Sequence, residues 1–399
     1  MPHRPIRPGP GGRRLATLAV GLVGVVAAVT ACSPASGQGD PTSASSTASS
    51  SAGASASNPA DATTPGAPTT PTAAPFTVSS VSPAAGATAV ATDTNVVVIL
   101  SATLADAAFT PRITPRVAGT WSRTLTATHE TTLRFTPKAP WPASSRITVT
   151  VPAGLVSTGG QKLRSGTSAT FVTRPVSAQR VQQLLARLGY LPLSFHVTGK
   201  VHTGPAAALA ESGTYSWKWS SARAVLGAFW SAGRTNQLTR AALMDFQRQH
   251  GLSTDGVAGP QTSSALVADA LAHRADPNAY DYVHVSKAGH ESLTLYANGA
   301  VRHHVAVSTG IEGATTYDGL FPVYEHVYFT RMRGTDVDGT KYDAKIYWAS
   351  YFNGGEAMHA YPRASYGFPQ SNGCVEIQPA NARKIWPFTP IGTPVRVTG

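Results

Sequence analysis

Cysteine is used only twice in 399 residues. Cys374 lies in "YGFPQSNGCVEI", Tyr366 to Ile377, a turn punctuated by Gly and Pro. A thiol there is either an inert buried group or a nucleophile. As a nucleophile it needs an imidazole or a positive potential nearby, because a free thiol titrates at about 8.5. No histidine follows Cys374, so an arrangement with cysteine first and histidine later is excluded. Upstream, His359 stands fifteen positions before the cysteine in "MHAYPRASYGFPQSNGC". His284, His290, His303, His304 and His326 fall in or beside strand patterns, where solvated or structural roles are the default. Acyl transfer at such a thiol also needs donors for a tetrahedral oxyanion. The backbone N–H groups of Gly373 and Cys374, on a turn read as entering a helix, are the natural ones. This chemistry calls for no metal and no cofactor.

The elements that must position these residues are mostly strands. "DYVHVS", "ESLTLYANGAVRHHVAVSTG", "GLFPVYEHVYF", "KIYWASYF" and "TPVRVTG" give a β-rich α+β domain over residues 280–399, with a hairpin at Asn298-Gly299 and one helix at Pro379 to Trp386. Residues 177–272 read as helical. Val181, Leu184, Leu185 and Leu188 fall at helix spacing between a Ser177 N-cap and a Gly189 stop, and two further helices follow Gln237. Residues 76–174 carry six or seven short β-type runs between turns, the pattern of a sandwich. The fold class is thus multidomain and β-rich.

Composition sets the rest. With 42% apolar and 13% charged residues the chain can bury several cores, and 37 Gly with 30 Pro imply many turns. Arg4, Arg7, Arg13 and Arg14 precede an apolar run from Leu15 to Val29, the pattern of an export signal over residues 1–32. Residues 33–75 are almost wholly Ser, Thr, Ala, Pro and Gly. They read as a disordered tether, spanning roughly 35 Å root-mean-square. The net charge of +12 favours anionic surroundings such as a polyanionic cell wall. Nucleic acid is disfavoured, because export removes it and no basic cluster is interleaved with aromatics.

Four resemblances sharpen this reading. "VTAC", Val29 to Cys32, resembles the lipobox of bacterial lipoproteins, which implies a lipid on Cys32 and attachment to the outer face of the cell membrane, facing the wall. Cys374 is then left without a disulfide partner. Residues 76–174 resemble bacterial immunoglobulin-like domains and read as a spacer. Leu188, Gly189, Tyr190, Phe246, Gln247, Gly251, Leu252, Asp255, Gly256, Gly259, Thr262 and Leu266 resemble the recurring elements of the small helical peptidoglycan-binding domain. Its halves are separated here by a long insertion, Leu191 to Gln237, carrying Trp217, Trp219 and Trp230. Residues 280–399 resemble the L,D-transpeptidase catalytic domain of the YkuD type, through His359, Ser371, Gly373, Cys374 and Val375, with "VSTG" at Val307 to Gly310 and Gly319 and Phe321 upstream. Asn372 stands where that family has a second histidine, and Glu376 stands where it commonly has a basic or amide residue.

That last resemblance implies an exported cysteine acyltransferase. Cys374 attacks the third residue of a tetrapeptide stem of peptidoglycan, expels D-alanine and passes the acyl group to a second stem as a 3→3 cross-link. His359 is the implied base, held by a backbone carbonyl at or near Ala360, with Ser371, Asn372, Gly373 and Tyr342 around the oxyanion or substrate. Carbapenems are the implied covalent inhibitors. Two other outcomes stay open: an L,D-carboxypeptidase using the same thioester, and a non-catalytic peptidoglycan-binding lipoprotein.

Overall fold

The structure, a computed structural model, describes residues 74–399. The export signal, Cys32 and the tether up to residue 73 lie outside the described residues. Residues from Phe76 to Thr173 form a sandwich of a four-stranded sheet (Val78–Ser82, Val96–Leu100, Thr131–Pro137, Gly119–Leu125) and a three-stranded one (Arg112–Thr114, Arg146–Val151, Thr167–Val172). Alternation drives it. In "VVVIL", Val96, Val98 and Leu100 are buried while their neighbours are partly exposed, and the buried set packs on Trp141, Phe135 and Phe171.

The helical region begins as its sequence suggests. Ser177 Oγ accepts from the Arg180 N–H at 3.2 Å, and Gly189 closes the helix Ala178–Leu188 in the left-handed conformation at φ 94°. The motif residues of the second half converge on Gln247. Its Nε2 donates to Asp255 Oδ1, the Val257 carbonyl and Thr262 Oγ1, and its Oε1 accepts from the Gly256 N–H. These residues therefore hold the loop from Gly251 to Gly259 onto the buried Gln247 side chain.

The insertion explains its tryptophans. It forms the hairpin Leu193–Val197 and Gly213–Trp217 and a short helix, Ser220–Leu226, and its aromatics pack on the helical core. That core also contains Tyr282 and Leu320 of the C-terminal domain. Trp219 covers Gly299 so closely that a Cβ there would stand 2.3 Å from the indole. Ser221 Oγ donates to the Gly299 carbonyl at 2.6 Å and accepts from Tyr282 Oη at 3.0 Å. The insertion thus serves as the joint between the two domains.

The C-terminal domain is built on one nine-stranded sheet. Its order is Gly319–Pro322, Pro394–Thr398, Asp281–Ser286, Ser292–Ala297, Ala300–Ser308, Val375–Ile377, Glu356–Ala360, Lys341–Asn353 and Glu325–Thr335. Asn298 and Gly299 turn the expected hairpin with φ 48° and 80°. Val283, Val285, Leu293, Leu295, Val307, Val375 and Val395 fill the core on one side. The last two strands form a long hairpin closed by the turn Asp336 to Thr340. The helix Pro379–Ile385 lies beyond Ile377.

Candidate active site

Val375–Ile377 runs parallel to Glu356–Ala360, with Val375 opposite Met358 and Glu376 opposite His359. Side chains alternate along a strand, so Cys374 lies on the face of Glu376, and that is also the face of His359. The register therefore brings Cys374 and His359 to one side of the sheet. The Ala357 N–H donates to the Cys374 sulfur.

The turn before the cysteine is tied down by the upstream motif. Gly373 takes φ 103°, a left-handed conformation that suits glycine. Ser371 Oγ accepts from the Gly373 N–H at 3.2 Å and donates to the Cys374 carbonyl at 2.6 Å. Thr316 Oγ1 donates to the Gly373 carbonyl at 2.9 Å and accepts from the Gly310 N–H at 2.9 Å. Gly310 has no room for a side chain, since a Cβ would lie 2.0 Å from the Ala314 carbonyl. Thr309 donates through its N–H and its hydroxyl to the buried Glu291 carboxylate, both at 2.6 Å. "VSTG" is thus the platform under the nucleophile turn.

Two clefts meet at Cys374. One, of about 340 Å³, is lined by Ser371, Asn372, Cys374, His359, Glu376 and Tyr342. The other, of about 780 Å³, is lined by Gly373, Arg331, Arg333, Tyr317, Tyr351 and Glu356. Met332, Tyr342, Asn372 and Cys374 border both. Tyr342 holds its place because it lies across Gly334, where a Cβ would stand 2.5 Å from its hydroxyl.

The His359 Nδ1 lies 3.0 Å from the Ala360 carbonyl. A carbonyl only accepts, so Nδ1 carries the proton and Nε2 keeps its lone pair for the site. Burial lowers the His359 pKa; the Ala360 carbonyl and Glu376 partly oppose this, and Arg363 adds to it. Burial pushes the Cys374 thiol up to about 11, against the Ala357 N–H, with Glu376 and Glu356 adding to the rise. Among the described residues no hydrogen bond joins the thiol to His359; the sulfur donates to the Gly355 carbonyl at 3.9 Å and accepts from the Ala357 N–H. Both shifts favour the neutral forms, thiol and imidazole.

Three expectations change in detail. Cys374 does not enter a helix directly: the strand Val375–Ile377 intervenes and the helix starts at Pro379, so no helix N-terminus lends positive potential to the thiol or an oxyanion. The Gly373 N–H is engaged by Ser371. Glu376 does not confront substrate as a free acid, because Arg363 grips it through Nε at 2.7 Å and Nη2 at 2.9 Å. Sequence reasoning passed over Arg363, Glu356, Arg331, Arg333 and Asp336, all of which line these clefts.

Comparison with known proteins identifies the domain that carries this site. Residues 280–397 match the family model described as the YkuD L,D-transpeptidase catalytic domain. The C-terminal domain is a YkuD domain. Residues 71–173 match a bacterial Ig-like domain, and residues 231–266 match a putative peptidoglycan binding domain. That last match begins near the end of the insertion, the part of the helical region that departs most from the usual pattern. No curated protein matches the chain. Among solved structures, the chain is similar to an L,D-transpeptidase from Mycobacterium smegmatis, with 16% identity over 82% of this chain and 100% of that one and a TM-score of 0.29. It is similar to L,D-transpeptidase 3 from Mycobacterium tuberculosis in complex with a faropenem-derived adduct, at 15% identity over 81% and 98%, TM-score 0.28. The catalytic domain of an E. faecium L,D-transpeptidase acylated by ertapenem gives 23% identity over 30% and 96%, TM-score 0.27. In this chain the YkuD domain brings its cysteine and histidine into one cleft, and a second cleft meets the first at the cysteine.

Proposed function

We propose that the protein is a peptidoglycan L,D-transpeptidase that forms 3→3 cross-links through a thioester on Cys374, exported and anchored to the membrane by lipid on Cys32. The observation that carries this reading is the convergence of Cys374 and His359 on one sheet face of a YkuD domain, at the junction of two clefts. An acyl transferase needs two approaches to one sulfur, one for the stem that gives the acyl group and one for the amine that takes it.

His359 Nε2 takes the thiol proton as the sulfur attacks the carbonyl of the stem's third residue. The charge on the resulting tetrahedral oxygen is met by donors of the nucleophile turn, the Cys374 N–H among them. Collapse breaks the peptide bond, and the imidazolium returns its proton to the departing D-alanine amine, leaving the thioester. The side-chain amine of a second stem then attacks, loses its proton to His359 and displaces the thiol as the new amide forms. Because burial raises the thiol and lowers the imidazole, proton transfer is uphill at rest and is driven by substrate rather than by a standing thiolate. A carbapenem would enter by the same acylation step.

The test is mass spectrometry of the full chain after exposure to a carbapenem and, separately, to a disaccharide-tetrapeptide donor, followed by analysis of the muropeptides. A covalent adduct on Cys374 together with 3→3 dimers is expected. Tripeptide without dimers would replace the proposal with a carboxypeptidase, and an accessible but unmodified thiol would leave a binding protein.

A further inference from the structure

Asn372 stands two residues before the nucleophile, and its side chain reaches across the cleft. Its Nδ2 donates to Asp336 Oδ1, which a carboxylate must accept. Asp336 opens the turn of the long hairpin, accepting the Gly339 N–H at 2.9 Å through its own carbonyl and donating its N–H to the Thr340 carbonyl at 2.8 Å. The turn is therefore built by the backbone of Asp336, and its carboxylate is free for Asn372. Beside this bond Val337 of the same turn covers Gly313, with its methyl 3.4 Å from where a Gly313 Cβ would lie.

The hairpin arms show why that bond matters. Met332, Gly334, Tyr342, Ala344 and Ile346 alternate with exposed Arg331, Arg333, Lys341, Asp343 and Lys345, and the inward set except glycine walls the cleft that holds His359. Asp336, Val337 and Asp338 border the same cleft at its end. An arm of two strands reaching beyond its sheet has few contacts to fix it. The Asn372 bond fixes its tip to the nucleophile turn itself.

We propose that Asn372 is a positioning residue. By donating to Asp336 it pins the hairpin over the site, so that Met332 and Tyr342 present a set wall to the donor stem. This rests on the transpeptidase reading, and it gives the residue in the histidine's place a task that is neither base nor acid.

The full chain is tested as Asp336→Ala, Asp336→Asn, Asn372→Ala and the double alanine variant, with a tetrapeptide donor and single-turnover acylation of Cys374. Asp336→Ala is expected to raise the donor concentration for half-maximal acylation about five- to tenfold, with the saturated rate within about twofold. Asp336→Asn keeps an acceptor oxygen and should recover to within about twofold. The double variant should be no worse than Asn372→Ala, since one bond is lost in either case. Unchanged half-saturation in Asp336→Ala, no recovery in Asp336→Asn, or additive losses would each overturn the proposal. If the unaltered chain is not acylated at all, the transpeptidase reading fails instead. The pin is then read by hydrogen exchange, where Asp336→Ala should speed exchange across residues 334–342 and equal exchange would refute it.

Discussion

The two clefts at Cys374 differ in what they offer the sulfur. On one side stand His359, 3% exposed, and Glu376, 5% exposed and neutralised by Arg363. On the other, the open wall carries Arg331 and Arg333, which share the single carboxylate of Asp343, with the Glu356 carboxylate in the same cleft. Desolvation makes the first side suited to moving a proton, because interactions strengthen where water is excluded. Solvent keeps the second side suited to holding a charged chain loosely. The buried imidazole and the exposed positive charges thus lie on different sides of one sulfur atom.

If that division is right, removing the buried imidazole should act on rate and removing the exposed charges of the open side on binding. The largest effect is expected for His359→Ala. Losing the group that takes the thiol proton should slow acylation of Cys374 by about 10²–10⁴-fold, with donor half-saturation little altered. Acylation at a comparable rate would mean that the base lies elsewhere. Next comes the thiol's own titration. Alkylation by iodoacetamide requires no oxyanion site and reads the thiolate directly. Below its pKa the thiolate fraction rises about tenfold per pH unit. With Cys374 pushed up to about 11, the alkylation rate should still be climbing between pH 9 and 10. A plateau below pH 9 would reveal a thiolate–imidazolium pair at rest and collapse the contrast between the sides.

Much of this arrangement was readable in advance, and the unread part has a common cause. Caps and turns are local: Ser177, Gly189 and Asn298-Gly299 act on neighbours within a few residues, and each does in the structure what its type suggests. The hairpin was read short. Its outer arms, "TRMRGT" and "KYDA", alternate charge with small or soft residues because one face covers a cleft instead of a core, and so they lack the apolar signal of a strand. The pairs that define the site join distant positions across strands. Arg363 meets Glu376 across the nucleophile turn, Asn372 meets Asp336 from the hairpin tip, and Trp219 meets Gly299 from another domain. No spacing rule encodes these contacts. The raised thiol pKa was equally hidden, because it comes from burial among strands and from the carboxylates of Glu376 and Glu356.

The open side supplies the smallest and most diagnostic effect. Arg331 and Arg333 are 49% and 69% exposed at their side chains, so water and salt screen them and neither is expected to contribute strongly to anything it touches. Their effect should still have a sign. A stem peptide carries carboxylates, and replacing both arginines with glutamine removes two positive charges from the wall of the larger cleft. Half-saturation by a tetrapeptide donor should rise about three- to fivefold at low salt and converge with the unaltered chain near 1 M salt, where the Debye length falls to about 3 Å. The saturated acylation rate should not move, because Cys374, His359 and their shared cleft are untouched. A lower saturated rate would tie these arginines to the chemistry. A salt-independent rise would show that they act by packing, and the open cleft would then differ from the buried one in shape rather than in charge.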